Sequence, residues 1–308
     1  MAISTIHRLD KITGPVALSE INSSKISAGI KSMVETPAGH IHPMFRANQD
    51  QKPVIEFSTP QLVTFLTATT GLTGYSISGT PLVSWIKKAN NIGSVARATT
   101  SHSKITVNLG ILHCASISLP HNGRAECRGI VTAGYDGTND PLVSSHGNVA
   151  LSGNLTATEY FCAGPASFNG TSLPGVKSIE VDCGVELLCE SSDGELWPSF
   201  VGIQTVAPTV TITLFEKVNW NTLTLQGTAL NGSTGLVFYA RKYANGSPAR
   251  VANATTEHIK FVGLNGAILP MDTNGQDSSP LTDSLKIELV SGSDSILPLT
   301  IDTASAIT

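Results

Sequence analysis

Charge is scarce in this chain. Asp, Glu, Lys and Arg make up 14% of its 308 residues, against roughly 25% in an ordinary soluble domain. Aromatic residues are few as well, at 6%. The formal net charge is -4, so no basic field draws the chain to nucleic acid or to an anionic membrane. No run approaches the ~18 apolar residues that a membrane-spanning helix needs. The opening MAISTIHRLDKITGP lacks the apolar core of a secretion signal. Cys114, Cys127, Cys162, Cys183 and Cys189 make an odd count without a CxxC. Together these point to free thiols in a reducing cytoplasm rather than a disulfide framework.

Catalytic signatures are missing too. There is no G-x-S-x-G elbow, phosphate-binding loop or dinucleotide fingerprint. The stretch DTNGQD (272–277) breaks the EF-hand order, and His40-Ile41-His42, with two imidazoles on one side of an extended segment, gives only a weak hint of a metal or a polar contact. The expectation is a non-enzyme with no metal and no cofactor.

What the chain does have is Gly, Ser, Thr and Asn between alternating apolar positions, which is the pattern of many strands joined by turns. Residues 1–58 read as an aperiodic N-terminal arm and loop region. A short helix is expected over 59–70, capped by Thr59, with Leu62, Phe65 and Leu66 on its buried face. The main β-sandwich is expected over 74–216. C-terminal strands over 217–308 add length that would suit a decorating lobe. No internal repeat, charge block or linker stands out, so the fold class is all-β in a single domain.

Two alternations are unusually long, at 104–119 and 177–190. In the second, SIEVDCGVELLCE, the positions Ile179, Val181, Cys183, Val185 and Leu187 form an apolar face toward a sandwich core. Glu180, Asp182 and Glu186 form the opposite face. Continuous strands of this length leave open edges that neighbouring subunits can pair with. The alternative is a bend at Gly110 and at Gly184 that passes each strand between two sheets. Arg124 and Arg128 share one strand face and are expected to offset acids on a neighbour. The paired acids evoke a glycosidase, but a sugar site needs aromatic platforms that this chain does not arrange.

Several segments resemble the tail tube (major tail) proteins of tailed bacteriophages. They are SLPHNGRAECRGIVTAGYDGTNDPLV (118–143), SIEVDCGVELLCESSDGELWPSFVGIQTVAPTVTIT (178–213), GLVFYARKYANG and EHIKFVGLNGAI. The resemblance covers about 50–300 and is clearest over 118–215. It implies a tail-tube-like β-sandwich whose long strands join those of neighbours in a multi-subunit inner β-barrel, with one short helix outside. It further implies hexameric rings stacked into a tube in the virion tail, assembled in the bacterial cytoplasm. The implied partners are further copies of the chain, a tape-measure protein and viral DNA that passes without specific binding. Glu180, Asp182 and Glu186 would then face the lumen, and residues 33–56 would form an arm between rings. The rival readings are a capsid decoration or head–tail connector protein, or a carbohydrate-binding sandwich.

Overall fold

The computed structural model describes residues 5–90, 93–153, 159–215, 228–244, 249–269, 272–276, 279–293 and 296–308. The first half of the chain runs β1 (Thr5–Thr13), β2 (Ser23–Ser27), β3 (Ile30–Glu35), β4 (Phe45–Gln51), β5 (Val54–Thr59) and α1 (Leu62–Ala68). It continues through β6 (Tyr75–Ile77), β7 (Leu82–Asn90), β8 (Gly93–Ser94), β9 (His102–Val107), β10 (Leu109–Pro120), β11 (Glu126–Gly134) and β12 (Val143–Val149). The second half begins with β13 (Phe161–Phe168), β14 (Thr171–Leu173), β15 (Val176–Asp182), β16 (Val185–Glu190), β17 (Phe200–Val206) and β18 (Thr209–Leu214). It ends with β19 (Leu236–Lys242), β20 (His258–Gly263), β21 (Gly266–Ile268), β22 (Asp272–Gln276), β23 (Ser279–Leu289) and β24 (Thr300–Ser305). The fold is all-β, with one short helix among the described residues.

A ten-stranded sheet runs β2-β5-β11-β10-β15-β18-β23-β21, with β6 and β22 attached to β10 and β23. Two five-stranded sheets are built on β1-β7-β9-β12 and on β14-β13-β19-β20-β24. One apolar cluster unites all three sheets and the helix, including Ile12, Phe57, Phe65, Ile117, Ile179, Val210, Phe238, Phe261 and Ile287. Each such side chain contributes about 1.5–3 kcal/mol by leaving water.

The two halves are the same unit in tandem. β2 pairs with β5 around the inserted hairpin β3–β4, and β15 pairs with β18 around the inserted hairpin β16–β17. β5 pairs with β11 as β18 pairs with β23, and β7 lies between β1 and β9 as β19 lies between β13 and β20. Individual bonds repeat as well. Ala133 N–H donates to Pro53 O at 3.0 Å, and Leu289 N–H to Pro208 O at 3.0 Å. Leu151 N–H donates to Arg97 O at 2.7 Å, and Ile307 N–H to Asn253 O at 2.8 Å. The buried His102 accepts Lys88 N–H at Nδ1 (3.0 Å), while its Nε2 faces Ala96 O at 2.9 Å. His258 does the same with Lys242 N–H (3.1 Å) and Ala252 O (3.0 Å). Both rings therefore carry the proton on Nε2. The matching sequence is ARATTSHSK (96–104) against ANATTEHIK (252–260).

This corrects the expectation of a chain without a repeat. It also replaces the division at 216–217. Among the described residues the C-terminal strands do not form a lobe of their own, because β19, β20 and β24 share a sheet with β13, while β21 to β23 extend the ten-stranded sheet. The arm expected at 1–58 is β1, β2, the β3–β4 hairpin and β5.

The second long alternation bends at the expected Gly184, whereas the first breaks at Asn108, two residues before Gly110, which lies inside β10. The first crosses sheets between β9 and β10, and the second between β15 and β16. Gly184 has φ 55°, and a Cβ there would lie 2.0 Å from Ala207 O. Its counterpart Gly29 has φ 59°, with Lys52 O at 1.8 Å from the same position. In each, the glycine carbonyl accepts the facing N–H at 3.0 Å, so the backbones close the hairpin base directly. Only glycine permits this approach.

The helix is shorter than expected, and its cap comes from elsewhere. Thr59 Oγ1 accepts Gln61 N–H at 3.2 Å. The orphan N–H groups of Val63 and Thr64 donate to the Glu159 carboxylate at 2.8 and 3.2 Å, which satisfies the helix end. Phe65 meets Phe57 edge-on at 5.8 Å, so the helix lies on the apolar side of the large sheet.

Gly29→Ala and Gly184→Ala should each destabilise the chain by more than about 2 kcal/mol. Gly39→Ala, at a positive φ with open space around it, should cost roughly 1 kcal/mol. Urea unfolding measures all three; equal losses at Gly39 and Gly184 would contradict the close-approach account.

Candidate functional site

The side of the ten-stranded sheet opposite the core is an extended polar face. Its register is read directly from the strand pairs. Ser116 stands between Arg128 and Asp182, and Ser118 between Glu126 and Glu180. Asp182 and Glu180 then face Thr209 and Thr211, which face Glu288 and Lys286. On the other side Arg128 faces Ser58, and Ser58 faces Ser23. Period-two alternation places Ile117, Val181, Val210 and Ile287, all nearly inaccessible, on the reverse side.

The predicted residues fall as follows. Ile179, Val181 and Cys183 are fully buried, so the apolar face is where the alternation put it. Val185 packs partly buried against the core, and Leu187 is half-buried. Glu180 and Asp182 are exposed on the polar face of β15. Glu186 is exposed too, but on β16 opposite Thr205 in the inserted hairpin. It therefore does not extend the row of Glu180 and Asp182 within one strand, because the chain changes sheet at Gly184. Asp182 also accepts Gly184 N–H at 3.1 Å, which steadies the bend.

Two basic residues of this face, Lys25 and Arg128, are engaged by one acid. Glu56 takes both Arg128, through a charge-assisted hydrogen bond, and Lys25 at 3.8 Å. These cations hold its carboxyl below the usual range, Arg128 most strongly. Arg124, expected on the same strand face as Arg128, instead lies in the turn between β10 and β11 and binds Glu20 through both terminal nitrogens. Lys286 stands two positions from Glu288 on the same strand face. Among the side chains described on this face, five acids (Glu56, Glu126, Glu180, Asp182, Glu288) stand with three bases (Lys25, Arg128, Lys286). The face is thus mildly acidic and rich in Ser and Thr.

The thiols belong to the reverse side. Cys114, Cys127 and Cys183 are buried at the β11-β10-β15 junction, and all five cysteines are free. Contact with Cys127 and burial push the Cys114 thiol well above its ordinary value, which keeps it protonated and unreactive. Among the described residues no group of three His, Cys, Asp or Glu side chains is placed to hold a metal. No helix among them is long and apolar enough to cross a membrane. His113 is buried beside this junction, and burial lowers its pKa to about 4.

Sequence reasoning missed two parts of this surface. The ion group at Glu56 forms between β2, β5 and β11, strands far apart in the chain. The sheet edges at β2 and β22 needed the topology. No family model matches this chain, and no curated protein sequence matches it.

His113 supplies a test. Its folded pKa of about 4 lies below the ordinary histidine value of 6.5. The unfolded chain therefore binds the extra proton first, and stability is lost as pH falls from about 6.5 toward 4. Its counterpart in the second unit is Leu269. His113→Leu should flatten that part of the stability-versus-pH curve in urea titrations; an unchanged slope would exclude His113 as its source.

Proposed function

We propose that this chain is the subunit of a phage tail tube: it assembles into rings that stack into the conduit for the viral genome. The observation that carries this reading is the ten-stranded sheet. One face is buried under the two smaller sheets and the other is polar and mildly acidic; among the described residues β2 at one end and β22 at the other each pair with a single strand. In the closed ring the polar face becomes the lumen wall and the strand ends meet their neighbours.

The chemistry of the face suits transit. Duplex DNA binds proteins through Lys and Arg that replace its counterions. Here Lys25 and Arg128 are engaged by Glu56, while Glu180 and Asp182 add repulsion toward phosphate. Ser and Thr present short, neutral side chains to whatever passes, DNA or a tape-measure protein. The helix and the smaller sheets lie on the other side, toward the outside of the tube. In this reading the chain resides in the virion tail and assembles in the bacterial cytoplasm.

Negative-stain images of concentrated protein should show hollow filaments of uniform bore. Closed shells or dispersed particles at every concentration would contradict the reading. Glu180→Lys combined with Glu288→Lys should leave assembly intact while the tubes retain labelled duplex DNA in low-salt sedimentation, with release as salt rises. Equal retention by the unaltered tubes would remove the lumen assignment.

A further inference from the structure

Among the described residues, the contact between the two units inside one chain has an unfilled copy at each end. Inside the chain, β10 of the first unit pairs with β15 of the second, from Ser116↔Asp182 to Pro120↔Ser178. The hairpin that follows β15 then leans back on the first unit. Tyr135 N–H donates to Pro198 O at 2.8 Å, Gln51 N–H donates to Leu196 O at 3.0 Å, and the Tyr135 and Trp197 rings meet at 5.6 Å.

The tandem correspondence says where the same surfaces recur. The counterpart of β15 is β2, the first strand in the path of the large sheet; its edge away from β5 pairs with no other strand among the described residues. The counterpart of Ser116–Pro120 is β22, whose only strand partner among the described residues is β23. The counterpart of the second hairpin is the first, where HPMF (42–45) answers WPSF (197–200). Met44 N–H donates to Glu35 O at 3.0 Å as Ser199 N–H donates to Glu190 O at 2.9 Å. Yet Pro198 is buried against the first unit, while Pro43 is exposed. Around it Val34 (52%), Met44 (66%) and Phe45 (51%) stand in solvent. At the far end Val290 (55%), which answers Gly134, and Ile296 (45%) a few residues on are also exposed. A monomer that exposes matched edges and matched apolar patches has an incomplete interface.

We propose that the partner is a second copy of this chain, joined head to tail by a repeat of the internal contact, and that three chains close the ring. β22 of one chain pairs antiparallel with β2 of the next, in the register Asp272↔Ser27, Asn274↔Lys25 and Gln276↔Ser23. The first hairpin of that next chain lies over Val290 and its neighbours, as the second hairpin lies over Gly134 and Tyr135. The hairpin thus serves a neighbour in the same ring, in place of the arm between rings that the sequence led us to expect.

The number of chains follows from strand arithmetic, and it rests on the tube reading. Each unit gives four strand positions to the large sheet, the pair β21 and β22 counting as one. Two chains would close sixteen strands, a porin-sized barrel. Three chains close about 24 strands, with a circumference of roughly 115 Å and a diameter near 37 Å before tilt widens it. That is the smallest ring with a bore beyond porin size. The sixfold ring implied by the resemblance is met by six units in three chains.

The test combines Lys25→Cys and Asn274→Cys in the full chain. After mild oxidation, non-reducing gels should show a ladder that ends at three chains, absent from either single variant. Native mass spectrometry of the unaltered protein, independent of any substitution, should give multiples of three. A ladder and mass ending at six chains would overturn the three-chain ring and leave the tube reading standing. Hollow filaments without this cross-link would overturn the edge register. A monomer at all concentrations, without filaments, would overturn the tube reading itself.

Discussion

The backbone pairing of Ser116–Pro120 with Ser178–Asp182 is the constraint on which the rest of the structure depends. It joins two units of the same topology into one ten-stranded sheet. Because side chains alternate with a period of two, this single register aligns every polar position of the first unit with those of the second. A slip of one residue would turn Ile179 and Val181 to solvent and drive Glu180 and Asp182 into the core. Burying those carboxylates without partners is prohibitive, so the register is firmly set. The same alignment builds the buried thiol junction of Cys114, Cys127 and Cys183 beneath it.

Within each unit, glycines let the backbones close tightly around the points where the chain changes sheet. Gly110 lies so close to Thr132 that a Cβ would come within 2.2 Å of its carbonyl oxygen; Gly266 repeats this with Glu288 at 2.1 Å. Gly29 and Gly184 do the same for the inserted hairpins. These contacts let one alternating segment serve two sheets, so that a long stretch of sequence becomes a sandwich rather than an overhanging ribbon. The repeated bonds of His102 and His258 fix the loops that close the smaller sheets. Each pair of bonds contributes on the order of 1–3 kcal/mol relative to leaving those buried groups unmet.

Local pattern made part of this legible. Alternation is a property of adjacent residues, so the buried side of β15 and its exposed acids follow from SIEVD alone. The helix face of Leu62, Phe65 and Leu66 follows in the same way. The placement of Glu186 did not, because the turn at Gly184 depends on Ala207, 23 positions onward. The Glu159 cap of the helix was equally hidden, since the carboxylate arrives from β13's approach rather than from the helix itself. The tandem repeat was hard to see because what the units share is hydrogen bonding and register. Few identical residues mark it beyond ATT-x-H-x-K, and the spacing between counterparts drifts from 154 at Lys88 and Lys242 to 156 at His102 and His258. Backbone bonds tolerate that divergence, since a strand needs the right alternation and not a particular side chain.

The account's central claim is that one contact is used twice, once inside the chain and once between chains. Electron cryo-microscopy of the assembled protein, at a resolution that separates strands, tests it most directly. The account predicts that the β22–β2 junction between chains superimposes on the β10–β15 junction within a chain, in the same register and with the same polar face toward the lumen. A tube in which chains meet through other strands, or in which Glu180 and Asp182 face outward, would contradict it.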